Sequence, residues 1–195
     1  MLRLKMKTDP RWVKNVAERN ISEILTDHAY CEQKAASTAI SLLVQYPEHA
    51  ELVAEMAELA QEEMGHFRMV FREIQQRGYE LGRERKDSYV NELQQFIKQK
   101  GRSREEVLAD KLLFAAMIEA RSCERFKVLS ENIGDAALAD FYYKLMVSEA
   151  RHYTMFIRLA KNLCPNVEVE KRWEEFLVYE GEVITRYGKS EAIHG

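Results

Sequence analysis

The chain has 195 residues, a length that suits one domain with a sizeable core. Charged residues make up 31%, but the formal net charge is only −3, so the overall charge neither requires nor excludes a polyanionic partner. Eight glycines and three prolines are too few for a turn-rich all-β fold. The composition therefore predicts a single helical domain spanning residues 1–195.

The three cysteines, Cys31, Cys123 and Cys164, are widely spaced and form no CxxC pair. An odd number of isolated cysteines fits a reducing compartment better than a disulfide-linked secreted domain. The basic stretch MLRLKMKTDPRW lacks the apolar run of a signal peptide, and no segment approaches the roughly 18 apolar residues of a membrane span. We therefore expect a cytoplasmic protein that is not part of a membrane.

Apolar residues recur at intervals of three and four along most of the chain, which places them on one face of a helix. Pro10, Pro47 and Pro165 fall at the breaks in this pattern, because proline disrupts a helix interior. The pattern predicts four long helices and a C-terminal fifth, over residues 16–46, 48–78, 104–132, 135–163 and 168–187.

The connections between the predicted helices differ in length. Tight links at Pro47 and Gly134 predict two antiparallel hairpins, because short connections place consecutive helices side by side. The crossover between the hairpins, residues 79–103, is longer and contains a short predicted helix within SYVNELQQFIKQK. Two hairpins with one long crossover are typical of ferritin-like proteins. We predict an all-α fold, a ferritin-like four-helix bundle with an added C-terminal helix.

Two predicted helices carry a glutamate and a histidine three residues apart on the apolar stripe. Glu63 and His66 lie on the second helix, and Glu149 and His152 lie on the fourth. The spacing makes each pair neighbours on the helix surface. A buried carboxylate beside a buried imidazole is unfavourable unless something compensates. A metal ion bound by both groups would compensate, so each pair is a candidate half-site.

Each pair has a partner glutamate one helix earlier: Glu32 precedes Glu63 by 31 residues, and Glu119 precedes Glu149 by 30. This near-constant spacing indicates an internal repeat of one hairpin. Two such hairpins packed face to face would assemble four carboxylates and two histidines, the ligand set of di-iron and di-manganese carboxylate proteins. The predicted metal ligands, which together form the catalytic centre, are Glu32, Glu63, His66, Glu119, Glu149 and His152.

Some ligand assignments have alternatives. Glu124 competes with Glu119, although five residues along a helix turn it away from the stripe. His28, one turn before Glu32, either supports the ligands or is an ordinary core histidine, and is left out of the site. Mixed carboxylate and imidazole ligation favours iron or manganese over structural zinc. We predict two irons with open positions for O₂ or a peroxide, and an external source of electrons.

Four stretches, DHAYCEQKAASTAISL, LAQEEMGHF, MIEARSCERFKVL and MVSEARHYTMFIRLA, resemble the MiaE family of tRNA hydroxylases. The similarity spans residues 10–185, and EARSCERF (119–126) distinguishes it from generic ferritins and rubrerythrins. The resemblance implies a non-haem di-iron monooxygenase that hydroxylates the isopentenyl side chain of 2-methylthio-N6-isopentenyladenosine next to the tRNA anticodon. It implies O₂ as co-substrate and an electron-transfer protein, such as a ferredoxin or a reductase, as partner. By position, the iron ligands of the family fall on the same six residues.

Two clusters of basic residues are candidates for binding tRNA phosphates, and ordinary solvated faces are the alternative interpretation. No RRM, KH or OB signature is present, so recognition would rest on RNA shape, backbone and a flipped base. The N-terminal cluster contains Arg3, Lys5, Lys7, Arg11, Lys14 and Arg19, and the crossover cluster contains Arg77, Arg83, Arg85, Lys86, Lys98, Lys100, Arg102 and Arg104.

Three other functions fit a helical chain of this kind. They are ferritin-like iron oxidation or storage, peroxide reduction as in rubrerythrin or manganese catalase, and a metal-free interaction bundle. The sequence makes no prediction of oligomeric state.

Gly65 lies in the middle of the second predicted helix, between Glu63 and His66, where a glycine costs about 1 kcal/mol relative to alanine. Its counterpart in the second hairpin is Arg151, and a close approach by another segment is one explanation for the glycine.

Overall fold

The computed structural model describes residues 2–97, 102–187 and 193. Throughout these residues the regular structure is helical, without a strand, which confirms the all-α prediction. None of the described helices combines the length and the apolar character needed to cross a membrane. The helices are a π-helical turn (Val13–Ala17) followed by α1 (Ile21–Gln45), α2 (Ala50–Gln76), α3 (Ser88–Gln94), α4 (Arg104–Asn132), α5 (Ala136–Leu163) and α6 (Val169–Tyr187).

The five predicted long helices correspond to α1, α2, α4, α5 and α6. The largest error is at the start of α1, predicted at residue 16 and found at Ile21. The preceding residues instead form the π-helical turn, closed by the Glu18 N–H donating to the Val13 carbonyl at 2.8 Å. The crossover helix, predicted within residues 88–100, is α3 and ends at Gln94; residues 98–100 lie outside the described residues.

Side-chain caps fix where α4 and α5 begin. The Ser103 hydroxyl accepts from the Glu106 N–H at 3.1 Å, and the Glu106 carboxylate accepts from the Ser103 N–H at 2.7 Å. This reciprocal pair satisfies two backbone donors that a helix start leaves open. At α5, Asp135 Oδ1 accepts from the N–H groups of Ala137 and Leu138. The caps hold the register of the two helices that carry Glu119 and Glu149.

The end of α2 is fixed by a glycine with positive φ. Gly78 has a φ of 72°, which side chains other than glycine rarely adopt. Its N–H donates to the Gln75 carbonyl and the Tyr79 N–H donates to the Ile74 carbonyl, both at 3.0 Å. These two bonds form a Schellman motif, which satisfies the last carbonyls of the helix.

Contacts divide the chain into two compact units. The hairpin unit contains the described residues of 20–86 together with Ile193, and therefore α1 and α2. The α3–α6 unit contains the described residues of 2–19 and 87–187, with the π-helical turn and the other four helices. The single domain over 1–195 stays a prediction.

In the hairpin unit, α1 packs against α2 through the stripes that the sequence predicts. On the stripe of α1 that contains Glu32, Leu25, His28 and Glu32 are buried, whereas Ile21 and Ala35 are only half-buried. On α2 the stripe at steps of three and four that contains Glu63 and His66 is wholly buried, so the spacing predicted this face correctly. These residues are Leu52, Met56, Leu59, Glu63, His66 and Val70.

In the α3–α6 unit, α4 contacts α5, α6, α3 and the π-helical turn, so it is buried on more than one side. The face of α4 that carries Glu119 is buried, but so are Arg121 and Arg125 on the other side. Arg121 Nε donates to Glu180 Oε1 at 2.9 Å, and its Nη1 donates to Glu124 at 2.9 Å. The Tyr89 hydroxyl donates to the same Glu180 oxygen at 3.1 Å. This buried network joins α3, α4 and α6.

Glu180→Gln should destabilise the protein, because it leaves the buried Arg121 without its main counter-charge. Removing one partner of a buried ion pair costs about 3 kcal/mol. We expect urea unfolding of the metal-free protein to show a loss of that size. Glu131→Gln is the control, since Glu131 forms only an exposed pair with Lys127 at 3.8 Å and should cost less than about 0.5 kcal/mol. Equal losses in the two variants would contradict this role of Glu180.

Candidate metal centre

The hairpin unit holds the first group of predicted ligands. Glu32 comes from α1, and Glu63 and His66 come from α2. All three are buried, with 4%, 0% and 7% of their surfaces exposed, respectively. His66 Nδ1 lies 3.1 Å from Glu63 Oε2 and 3.7 Å from Glu32 Oε2. One ligand atom from each residue lies within 4.8 Å of the others, so the three can share one metal ion.

His28 supports this group from one turn earlier on α1. It is fully buried, and its Nε2 lies 2.6 Å from Glu32 Oε1. An ionised carboxylate only accepts hydrogen bonds, so the imidazole N–H donates. Of the two roles that the sequence left open, contact with a predicted ligand is the one that the geometry supports. The i, i+4 spacing was the signal for this contact.

Electrostatics in the hairpin unit favour charged forms despite burial. Burial opposes ionisation of Glu32, but hydrogen bonds from His28 and His66 outweigh it and hold the pKa of Glu32 well below its ordinary value. Burial also opposes the charged form of His66, yet its bonds to Glu32 and Glu63 raise the pKa of His66 to about 10. The metal-free group is therefore a compact, hydrogen-bonded set of opposite charges.

The α3–α6 unit holds the second group, which repeats the first with looser spacing. Glu119 comes from α4, and Glu149 and His152 come from α5; all three are buried. His152 Nδ1 lies 3.9 Å from Glu119 Oε2 and 3.9 Å from Glu149 Oε2. One ligand atom from each again lies within 4.8 Å of the others. Both units therefore bring two carboxylates and one imidazole together.

Glu124, the alternative to Glu119, faces a different part of the unit. Its carboxylate accepts from the Thr8 N–H at 2.8 Å, from the Thr8 hydroxyl at 2.7 Å and from Arg121 at 2.9 Å. Glu124 thus ties the N-terminal segment to α4, whereas Glu119 lies beside His152. The geometry favours Glu119 as the ligand from α4.

Cys123 lies on the same stripe as Glu119 but is a poor candidate for a ligand. Its thiol donates to the Met146 carbonyl at 3.4 Å. Burial, together with the charges of Glu119 and Glu124, raises the pKa of the Cys123 thiol to about 11. Because metals bind the thiolate, a thiol that stays protonated contributes to packing instead.

The donor atoms of both groups fit iron. Each group offers carboxylate oxygens and an imidazole nitrogen, a mixture that suits iron or manganese, and neither group includes a thiolate of the kind structural zinc prefers. A metal ion bound by each group would also compensate the burial of these carboxylates on apolar helix faces. The two buried clusters of carboxylates and histidine therefore suit a di-iron site.

Many residues of the two predicted basic clusters are engaged by acids. Arg3 pairs with Glu170 at 3.1 Å and with Glu174 at 2.8 Å, and Lys5 also pairs with Glu174. Lys98 and Lys100 lie outside the described residues. The clusters therefore carry less free positive charge than the sequence suggests, and their role in RNA binding stays a prediction. Further pairs are Arg11–Asp9, Arg77–Glu73, Arg85–Glu23 and Arg102–Asp110.

The repeated carboxylate–histidine half-site can be compared with known families. A family model described as tRNA-(MS[2]IO[6]A)-hydroxylase (MiaE) matches residues 2–195. The chain belongs to the MiaE family. This membership confirms both the resemblance seen in the sequence and the prediction that the chain is an enzyme, a tRNA hydroxylase.

Two curated relatives agree with the MiaE assignment. A protein of Pseudomonas putida is 38% identical, with 91% of this chain and 84% of that protein covered. A protein of Salmonella typhimurium is 28% identical, with 80% of this chain and 74% of that protein covered. Both are named tRNA 2-(methylsulfanyl)-N(6)-isopentenyladenosine(37) hydroxylase.

A solved structure supports the fold. It is described as protein 43 with aldehyde deformylating oxygenase activity from Synechococcus. It is 31% identical, with a TM-score of 0.89 over 98% of this chain and 95% of that chain. The likeness confirms the predicted ferritin-like fold.

The metal-free protein should lose part of its stability as pH rises, because of His66. Its pKa is about 10 in the folded state and about 6.5 in an unfolded chain. The stabilisation from charged His66 is therefore complete below about pH 6.5 and is lost as pH rises through 10. Urea unfolding at pH 6 and pH 10.5 should show that His66→Gln costs at least about 1.4 kcal/mol more at the lower pH. A cost that does not change with pH would contradict the shift.

Proposed function

We propose that the two half-sites together hold two iron ions and that the protein is an O₂-dependent tRNA hydroxylase. Its substrate is the isopentenyl side chain of 2-methylthio-N6-isopentenyladenosine next to the anticodon. The observation that carries the proposal is the buried group of two carboxylates and one histidine, present once in each unit of a MiaE-family chain. The proposed ligands are Glu32, Glu63, His66, Glu119, Glu149 and His152.

When bound, the two irons supply the redox chemistry that activates O₂ with electrons from an external donor, such as a ferredoxin or a reductase. The residues of the chain prepare the site. His28 and His66 keep Glu32 ionised, and an ionised carboxylate is ready to bind a cation. Binding a metal requires neutral His66, so loading should displace a proton from its ring.

Burial of the ligands suits the proposed chemistry and substrate. All six have less than a tenth of their surface exposed, which limits the access of water. Apolar residues lie one turn from two of the ligands; Leu59 precedes Glu63 and Phe156 follows His152, and both are buried. An isopentenyl group is itself apolar and fits such surroundings, because ligand sites are mostly apolar with a few placed polar groups.

The names of the two relatives support the substrate. Both act, by name, on 2-(methylsulfanyl)-N(6)-isopentenyladenosine at position 37 of tRNA. The family match over nearly the whole chain supports the same substrate class for this protein. We expect a cytoplasmic location, since tRNA is modified there.

Other chemistry at the same site makes different predictions. Ferritin-like iron oxidation or rubrerythrin-like peroxide reduction needs no organic substrate. An aldehyde substrate is favoured by one observation, the 31% identity to the Synechococcus protein described as having aldehyde deformylating oxygenase activity. An assay with purified iron-loaded protein, an aldehyde and modified tRNA separates these activities.

Metal content tests the ligand set. Protein purified without chelator should contain two irons per chain and show oxo-bridge absorption when oxidised. Glu119→Ala should leave at most one iron, because it removes a proposed ligand that lies beside His152. Glu124→Ala is the control and should keep two, because Glu124 bonds to Thr8 and Arg121 instead. Loss of iron only in the Glu124 variant, many irons per chain, or a single zinc would contradict the proposed centre.

Nucleoside analysis tests the reaction. A strain lacking this gene should accumulate isopentenyladenosine without its hydroxyl group, measured by liquid chromatography and mass spectrometry of digested tRNA. The wild-type gene should restore hydroxylation, and Glu63→Ala should reduce it at least about 100-fold, because loss of a proposed metal ligand should cost at least as much as loss of a residue that only supports one. Normal hydroxylation in the deletion strain would rule out the tRNA role.

A further inference from the structure

The side of α2 opposite the proposed ligands has features that packing does not explain. This α2 outer face is formed by residues at steps of three and four that point away from Glu63 and His66. Gly65 lies within it, and no atom of the described residues outside its own helix turn comes within 4 Å of a Cβ placed there. A close approach by another described segment is therefore not the reason for the glycine. The α2 outer face consists of Gln61, Met64, Gly65, Arg68, Met69 and Arg72.

Two arginines on this face repel one another. Arg68 and Arg72 are one turn apart and exposed. Like charges at i, i+4 destabilise a helix. Among the described residues neither arginine has a carboxylate within ion-pair distance, whereas Arg77, the next arginine on α2, pairs with Glu73 at 3.4 Å. A bound anion between the two guanidinium groups would turn this repulsion into a stabilising contact.

The second hairpin keeps only part of this pattern at the equivalent positions, which lie 86 residues later: Arg72 corresponds to Arg158, which is also exposed. Gly65 corresponds to Arg151, whose Nη2 donates to the Ser148 hydroxyl at 3.2 Å. Arg68 corresponds to Thr154, whose hydroxyl donates to the Arg151 carbonyl at 2.8 Å. The glycine and the i, i+4 pair of arginines therefore belong to α2 and are not a property of the repeat.

An aromatic pair lies between the arginines and the ligands around the circumference of α2. The rings of Phe67 and Phe71 are stacked, with centroids 6.4 Å apart and planes 12° apart, and both residues are half-buried. Exposed Met64 adjoins them on the surface, with 42% of its area accessible. Going around the helix, the order is cations, then aromatic rings, then the metal ligands. This order matches that of the groups in a modified nucleotide: phosphate beside the cations, base beside the aromatic rings, and the substituent of the base toward the metal ligands.

We propose that the α2 outer face docks the anticodon loop of the tRNA substrate. Arg68 and Arg72 bind phosphates of the loop, and Gly65 lets the sugar–phosphate backbone lie close to the helix. The Phe67–Phe71 flank supports a base by stacking, a contact that is common in recognition of single-stranded RNA. This docking role rests on the proposed function and adds to it the surface that the RNA contacts.

Binding of a fluorescent anticodon stem–loop that carries isopentenyladenosine tests the docking surface. Full-length iron-loaded protein is titrated at several KCl concentrations and anisotropy is recorded. Arg68→Gln/Arg72→Gln should weaken binding about tenfold at about 0.1 M salt, because two phosphate contacts are lost. The slope of log affinity against log salt should fall by about 1.4, at about 0.7 per phosphate of a single strand. Unchanged affinity and slope would overturn the proposal.

A matched variant controls for total charge. Lys127→Gln/Lys144→Gln also removes two exposed positive charges, but these lysines pair with Glu131 at 3.8 Å and Asp140 at 2.6 Å. This variant should bind the stem–loop within about twofold of wild type, since each lysine lies outside the α2 outer face and already has a carboxylate partner. An equal loss of affinity in the two double variants would show a general charge effect and would overturn docking on α2.

Gly65→Gln tests the close approach of the backbone. The substitution should raise the melting temperature, because glycine disfavours helix and the new side chain meets open space. It should keep two irons per chain yet weaken binding of the stem–loop several-fold. A more stable variant with full iron content and unchanged RNA affinity would overturn the role of Gly65.

The results separate this proposal from the function on which it rests. If wild-type protein neither binds the stem–loop nor hydroxylates tRNA, the proposed function fails. If wild-type and Arg68→Gln/Arg72→Gln proteins both bind and react equally well, only docking on α2 is overturned. If the double variant binds RNA normally but accepts electrons slowly from an acidic ferredoxin, the face serves a protein partner and the RNA proposal is overturned.

Discussion

Each half-site keeps two carboxylates and an imidazole away from water on a helix face that is otherwise apolar. Burial by itself pushes a carboxylate toward its neutral form. Glu32 remains ionised only because His28 and His66 hydrogen-bond to it, and His66 remains charged only because carboxylates surround it. The pairing of α1 with α2 must therefore keep His28, Glu32, Glu63 and His66 within hydrogen-bonding reach of one another. A chain selected for stability alone would place leucine at these positions.

A second set of buried charges holds the helix that carries Glu119. Arg121 is two residues further along α4 and therefore points to the opposite side, where it binds Glu180 of α6 and Glu124. Arg125, on that same side, stacks on Trp12 with its guanidinium carbon 4.2 Å from the ring centroid. The EARSCERF stretch thus combines one proposed metal ligand with the anchors that orient it.

The sequence predicted what depends on helical period and missed what depends on distant partners. The inward faces of α2 and α5, and the preference for Glu119 over Glu124, follow from steps of three and four. Burial of Arg121 does not, because its partner Glu180 is 59 residues away and α6 gives no local sign of the pair. The same limit applies to the basic clusters, because several of their cations pair with acids that are distant in the sequence, as Arg3 does with Glu170. The helical period also gave no sign of the π-helical turn before α1.

The internal repeat shows which constraints the two hairpins share. The proposed ligand positions are the same in both, as expected if binding a metal fixes residue type and spacing on the inner faces. The outer faces are free of that constraint and have diverged: α2 combines Gly65 with an unmatched pair of arginines, and α5 has Arg151 and Thr154 in hydrogen bonds to their own helix. Gly65 and the Arg68–Arg72 pair, which disfavour a helix locally, are thus found on one of two equivalent surfaces. This difference is expected where one surface meets a ligand, because residues that serve binding can lower the stability of the helix that carries them.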